Sequence, residues 1–120
     1  MKILVTSLGS DLDAMVDPRF GRAQRFILVE TDTEEFSVHD NTQNVGAAQG
    51  AGIQAGQTVA QLGAVAVVTG NVGPKAFATL QAGNIEVYTG ANGTVREMVE
   101  QFKAGNLQRT DKPNVKGHWG

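Results

Sequence analysis

The chain predicts an α/β fold: a mixed, mostly parallel five-stranded sheet flanked by helices, in the order βββαβαβα. Three observations predict it. Val65-Ala66-Val67-Val68 is a run of small or β-branched apolar residues, as in a strand buried on both faces. It passes through Thr69-Gly70-Asn71-Val72-Gly73 into Pro74, a residue suited to the first position of a helix. The same unit recurs from Ile85 to Gly105. Upstream, two apolar segments flank the turn Thr31-Asp32-Thr33-Glu34, as in an antiparallel hairpin.

Taken in order, Lys2 to Thr6 is the first strand, followed by Ser7-Leu8-Gly9-Ser10 and a polar loop from Asp11 to Arg22. Gln24 to Glu30 is the second strand, centred on Phe26-Ile27-Leu28-Val29. Phe36-Ser37-Val38-His39 alternates like a half-buried third strand, and the alternation makes His39 a surface residue. After a polar loop from Asn41 to Gly46, a helix is expected from Ala47 to Leu62, with Gln54, Gln57 and Gln61 on one solvent face. Glycine inside a helix costs about 1 kcal/mol relative to alanine. Close packing is the expected reason for Gly56, whereas Gly46, Gly50 and Gly52 lie where a ligand can approach the backbone.

Pro74 to Ala82 is the next helix, with Phe77 and Leu80 inward and Gly83 as its stop. Ile85 to Tyr88 is the last strand, and Thr89-Gly90-Ala91-Asn92-Gly93 the last loop. Thr94-Val95-Arg96-Glu97 has the spacing of a capping box, and Val95, Met98, Val99 and Phe102 that of an amphipathic helix ending at Gly105. Residues 1–105 are read as one α/β domain and 106–120 as an irregular arm.

Right-handed crossovers bring every strand-to-helix loop to one edge of such a sheet, where ligands of open α/β folds bind. That edge would carry Ser7 to Gly9, Asn44 to Gly50, Thr69 to Gly73 and Thr89 to Gly93. Helix starts present N–H donors and a partial positive charge, so their convergence suits a polyanion. Arg19 and Arg22 would add charge, unless they pair with Asp11, Asp13 or Asp17. His118, between Gly117 and Trp119, lies in an arm with no core to serve and is a candidate metal ligand.

Composition narrows the classes. A net charge of −2 with no basic block argues against a nucleic-acid binder. The lack of cysteine removes disulfides, thiolate-held metals and a cysteine nucleophile. No apolar run nears the roughly 18 residues of a membrane span. The chain opens directly on Ile3-Leu4-Val5, so no secretory signal is expected, and the expected location is cytoplasmic. Walker, dinucleotide and Ser-His-Asp patterns are missing, which leaves catalysis little support.

Leu12-Asp13-Ala14-Met15-Val16-Asp17-Pro18-Arg19-Phe20-Gly21-Arg22-Ala23 resembles a signature of the dinitrogenase iron-molybdenum cofactor biosynthesis family. So do Gly50-Ala51-Gly52-Ile53, the segment from Thr69 to Phe77, Gly93-Thr94-Val95 and Pro113-Asn114-Val115-Lys116-Gly117-His118. The resemblance implies a ribonuclease H-like fold that carries a metal–sulfur cluster and is not an enzyme. Without cysteine, the chain is most similar to the family's small stand-alone members, and these imply a non-covalently bound molybdenum–copper sulfide cluster or a related one. The cluster would be held by Ser7, Arg19, Arg22, Gly46, Gly50, Gly52, Gly70, Asn71, Gly73 and Gly90, with His118 as a metal ligand. Partner ATPases or cofactor-assembly proteins would be its protein contacts. Two other readings stay open: a Mg²⁺-dependent hydrolase using Asp13 and Asp17, and an adaptor whose rim binds a protein.

Overall fold

A computed structural model describes residues 1–46 and 50–114. Its strands are β1 (Lys2–Ser7), β2 (Arg25–Glu30), β3 (Phe36–Asp40), β4 (Ala66–Val68) and β5 (Glu86–Tyr88). Its helices are α1 (Thr42–Val45), α2 (Ala51–Leu62), α3 (Pro74–Ala82) and α4 (Val95–Lys103). The sheet order is β3-β2-β1-β4-β5. β1–β4 and β4–β5 are parallel, whereas β1–β2 and β2–β3 are antiparallel. The expectation of a mostly parallel sheet is therefore corrected to an even mixture. The hairpin lays its single reversed strand, β2, between β3 and β1, so one reversed strand makes two antiparallel pairings.

Period-two alternation sorts the strand residues onto two cores. Leu4, Phe26, Val67 and Val87 face α2 and α3, packing with Ala55, Val59, Phe77 and Leu80. Ile3, Val5, Ile27, Val29, Ala66 and Val68 face α4, packing with Val95, Met98 and Val99. Gly56 lies against α3, where an added Cβ would fall 2.7 Å from Thr79 Cγ2, so helix packing accounts for that glycine. α4 carries the complete capping box: Thr94 Oγ1 accepts from the Glu97 amide at 3.1 Å and Glu97 Oε1 from the Thr94 amide at 2.8 Å.

Other expectations change. Thr42–Val45 forms one helical turn where a loop was expected, because Asp40 Oδ1 accepts from the Thr42 amide at 2.8 Å. The helix expected from Ala47 begins at Ala51, and residues 47–49 lie outside the described residues. β3 is an edge strand on which Phe36 and Val38 remain 43% and 38% exposed. They point to the α4 face, and one nine-residue helix does not reach that edge.

The segment read as an irregular arm is docked as far as Asn114. Arg109 bridges Tyr88 antiparallel on the outer edge of β5, and the Thr110 amide donates to Val87 O at 2.7 Å.

Candidate functional site

β3 runs the same way as β1, β4 and β5, so all four release their following loops at one edge of the sheet. That is the edge expected from the crossovers. The loops behave differently along it.

Residues 17–24 form the best-fixed loop, and Asp17 fixes it from inside. Its side chain is 1% exposed, with Oδ1 accepting from the Arg19 amide and Oδ2 from the Gln24 amide, both at 3.0 Å. A buried carboxylate is tolerated where backbone N–H groups solvate it. Phe20 is fully buried and stacks on Phe26 at 5.7 Å, which anchors the loop between Arg19 and Arg22. From the α1 side, buried Asn41 donates through Nδ2 to Gly21 O at 3.2 Å and Ala23 O at 2.8 Å. Asn44 Nδ2 in turn donates to Asn41 Oδ1 at 2.8 Å. From the β4 side, the Phe20 amide donates to Asn71 O at 3.1 Å, and Pro18 O accepts from the Asn71 amide at 2.7 Å.

Arg19 and Arg22 ride on this loop. The Arg19 side chain is 34% exposed, with Nε 3.9 Å from Asp17 Oδ1. Arg22 is half-buried, and Nη1 reaches Val45 O at 3.5 Å, at the end of α1. This contact ties the arginine loop to the end of α1, and the next helix, α2, begins after its N-cap Gly50. There Gly50 takes a left-handed conformation (φ 83°) with open space on its Cβ side, and α2 has no side-chain cap and no acidic residue in its first turn. Gly46 is exposed, also with nothing where a Cβ would project, whereas Gly52 is buried.

At the β4 and β5 ends, the protein has used its own donors. The amides of Thr69, Gly90 and Ala91 donate to Tyr88 O, Gly70 O and Thr69 O, at 3.0, 2.9 and 3.1 Å. The Val72 amide donates to Asn114 Oδ1 at 2.7 Å and the Thr89 amide to Thr110 Oγ1 at 3.2 Å. Gly70 is a close-approach residue: a Cβ there would sit 2.7 Å from Pro18 O and 2.8 Å from Pro18 Cα. Asn71 Nδ2 donates to Pro18 O at 3.2 Å, and Gly73 is the buried N-cap of α3, where Pro74 supplies no N–H. Gly90 is exposed. Ser7 is buried, with Oγ donating to Gly9 O at 2.9 Å and accepting from the Gly9 amide at 3.1 Å. His118 lies outside the described residues.

The structure thus joins Arg22 to the end of α1 beside Gly46, leaves the Cβ sides of Gly46 and Gly50 open, and turns Ser7, Gly70, Asn71 and Gly73 toward holding loops together. Asp13 and Asp17, the carboxylates of the hydrolase reading, are bonded in different directions: Asp13 Oδ1 lies 3.0 Å from Arg96 Nε, while Asp17 is consumed by its own loop. Among the described residues, no group of three or more His, Asp or Glu side chains is placed to hold a metal ion. Sequence reasoning placed Asn44 in a rim loop and Asn114 in a signature segment but gave them and Asn41 no part in fixing the rim. The three-residue spacing of Asn41 and Asn44 fits one side of a helical turn, but a polar loop reading concealed it.

The family model described as "Dinitrogenase iron-molybdenum cofactor" matches residues 1–105. The fold is similar to that of the apo form of the orange protein from Desulfovibrio gigas, with a TM-score of 0.92 and 43% identity over 95% of this chain and 96% of that one. It is also similar to a putative NifB protein from Thermotoga, with a TM-score of 0.83 and 34% identity over 97% and 98% of the two chains. An uncharacterized protein of Methanocaldococcus jannaschii is 28% identical over 112 residues, 91% of this chain and 93% of that protein.

Proposed function

Since this chain belongs to the dinitrogenase iron-molybdenum cofactor family, we propose that it carries an anionic metal–sulfur cluster, as cargo and without catalysis, at the carboxyl edge of its sheet. The observation that carries this reading is the pair of arginines on the 17–24 loop, one of them bonded to the end of α1 at Val45, together with the α2 start, whose N-cap Gly50 offers no side-chain hydrogen bond. An anion there meets guanidinium charge from Arg19 and Arg22 and the first amides of α2, which a helix leaves without intrahelical acceptors. Sulfide ligands on a cluster accept such weak donation without any exchange at the metals. The absence of cysteine leaves no protein thiolate to compete for a soft metal such as copper.

The donor set fits a non-covalently held molybdenum–copper sulfide cluster or a related one. In this reading the load is carried at the β1/β3 half of the rim, on Arg19, Arg22, Gly46, Gly50 and Gly52. Ser7, Gly70, Asn71 and Gly73 serve as its frame, and Gly90 and His118 remain candidates for outlying contacts. Partner ATPases or cofactor-assembly proteins would load or receive the cargo in the cytoplasm. The sheet order supports the ribonuclease H-like assignment.

Titration of the purified chain with tetrathiomolybdate and Cu⁺ tests the reading. The expected result is a change in visible absorption with shifts of the Ala51, Gly52 and Ile53 amide resonances. Arg19→Ala with Arg22→Ala should weaken binding about tenfold or more, most clearly at low salt, where charge is least screened. An unchanged spectrum with unmoved rim resonances would reject it.

A further inference from the structure

From Asn106 to Asn114 the chain crosses the outer edge of β5 and reaches the loop after β4. Its attachment is mostly polar. Leu107 packs against the α4-side core, while Gln108, Arg109, Asp111, Lys112 and Asn114 are exposed. Arg109 Nη1 stands 3.8 Å from Glu86, and the Thr110 and Thr89 hydroxyls hydrogen-bond each other. At the rim, Asn114 grips the Val72 peptide from both sides: Oδ1 accepts from the Val72 amide at 2.7 Å, and its own amide donates to Val72 O at 3.1 Å. Asn114 Nδ2 also donates to Asn71 Oδ1 at 3.3 Å and Gly70 O at 3.4 Å.

Two of these contacts differ from those elsewhere along the β4/β5 edge. The amides of Asn71, Gly90 and Ala91 are satisfied by backbone carbonyls of the domain itself. Among the described residues, those of Val72 and Thr89 are satisfied by side chains of this crossing segment alone. Water or another acceptor replaces such partly exposed side-chain acceptors at small net loss, and segments with few buried apolar contacts open at low free energy.

We infer that residues 106–114 are a displaceable strap that shuts the β4/β5 half of the rim. Seated, the strap fills the Val72 and Thr89 donors with Asn114 and Thr110. Lifted, it exposes both to an anion beside the arginine loop. The strap is thus a built-in competitor for cargo, and this use of it rests on the cluster reading above.

The test uses the full chain and two substitutions that delete the acceptors, Asn114→Ala and Thr110→Val, singly and together. Amide hydrogen exchange at Val72 and Thr89 should quicken tenfold or more in the double variant, with Asn71, Gly90 and Ala91 unchanged. Tetrathiomolybdate should then shift the Val72 and Thr89 resonances in the double variant and leave them in place in the parent chain. Exchange that stays slow at Val72 and Thr89, or quickens equally at Gly90 and Ala91, would overturn the strap. So would a titration that moves Ala51–Ile53 but never Val72 and Thr89. A titration that moves no resonance in any variant would overturn the cluster reading, and with it the strap as competitor, even if exchange quickens as expected.

Discussion

α2 and α4 both start at the carboxyl edge of the sheet, yet their starts are chemically opposite. α4 neutralises its own with Thr94 and Glu97, whose side chains and amides satisfy each other. α2 starts from left-handed Gly50 with no side-chain cap among the described residues and no carboxylate in its first turn. The same division runs along the rim. In the β4/β5 half many loop amides are met by backbone carbonyls and by Asn114 and Thr110, although α3 also starts there without a side-chain cap, and in the β1/β3 half buried Asp17, Asn41 and Asn44 fix the loop that bears Arg19 and Arg22. A rim does not bind anions because helices start there. On the cluster reading proposed above, the cargo is held where the described residues supply no acceptor of their own.

The largest effect expected from breaking this contrast lies in the closed half. Gly70→Ala drives a methyl group against the Pro18 backbone, which has no rotamer by which to yield. It should cost about 3 kcal/mol or more, seen as a lowered denaturant midpoint. Gly46→Ala, into open space, should stay within about 0.5 kcal/mol of the parent.

Asp17→Ala comes next. It strands the Arg19 and Gln24 amides and unmoors the arginine loop, and a loss of about 2–3 kcal/mol is expected by urea titration.

A smaller effect comes from exchanging the characters of the two helix starts. Thr94→Ala should cost about 1 kcal/mol. Ile53→Glu places a carboxylate at the third position of α2, where α4 has Glu97, on a residue that is already solvent-exposed. It should stabilise the helix by about 0.5 kcal/mol and, by filling the same field, weaken tetrathiomolybdate binding severalfold. Stronger binding in this variant would refute the assignment of α2 as the open start.

The smallest effect concerns pH at the strapped edge. Burial, then the hydrogen bond to Glu86, raises the Tyr88 phenol above its ordinary value of 10.0. A raised folded-state value stabilises the fold fully below the unfolded value, and the contribution is lost as pH climbs through the folded one. Tyr88 is the only tyrosine, so absorbance near 295 nm should show ionisation above pH 10, and Glu86→Gln should bring it partway back down.

Much of this was legible in residue order. The apolar run at Val65–Val68, the hairpin and the capping box are local signals, because side-chain periodicity and capping act within a few residues. The shared edge followed from crossover handedness. The one-turn α1 was not legible, since its start rests on a side chain from the strand before it, and the exposure of Phe36 and Val38 depended on how far α4 reaches.

By itself the sequence determined the order of the five strands and the three longer helices, the edge on which the loops gather and the family to which the chain belongs. Only the tertiary structure decided which donors on that edge are spent. Gly70 lies against Pro18, and Asn114 meets Val72 from 42 positions away in the chain. Whether a backbone amide is open depends on acceptors distant in sequence, and no local pattern encodes their arrival.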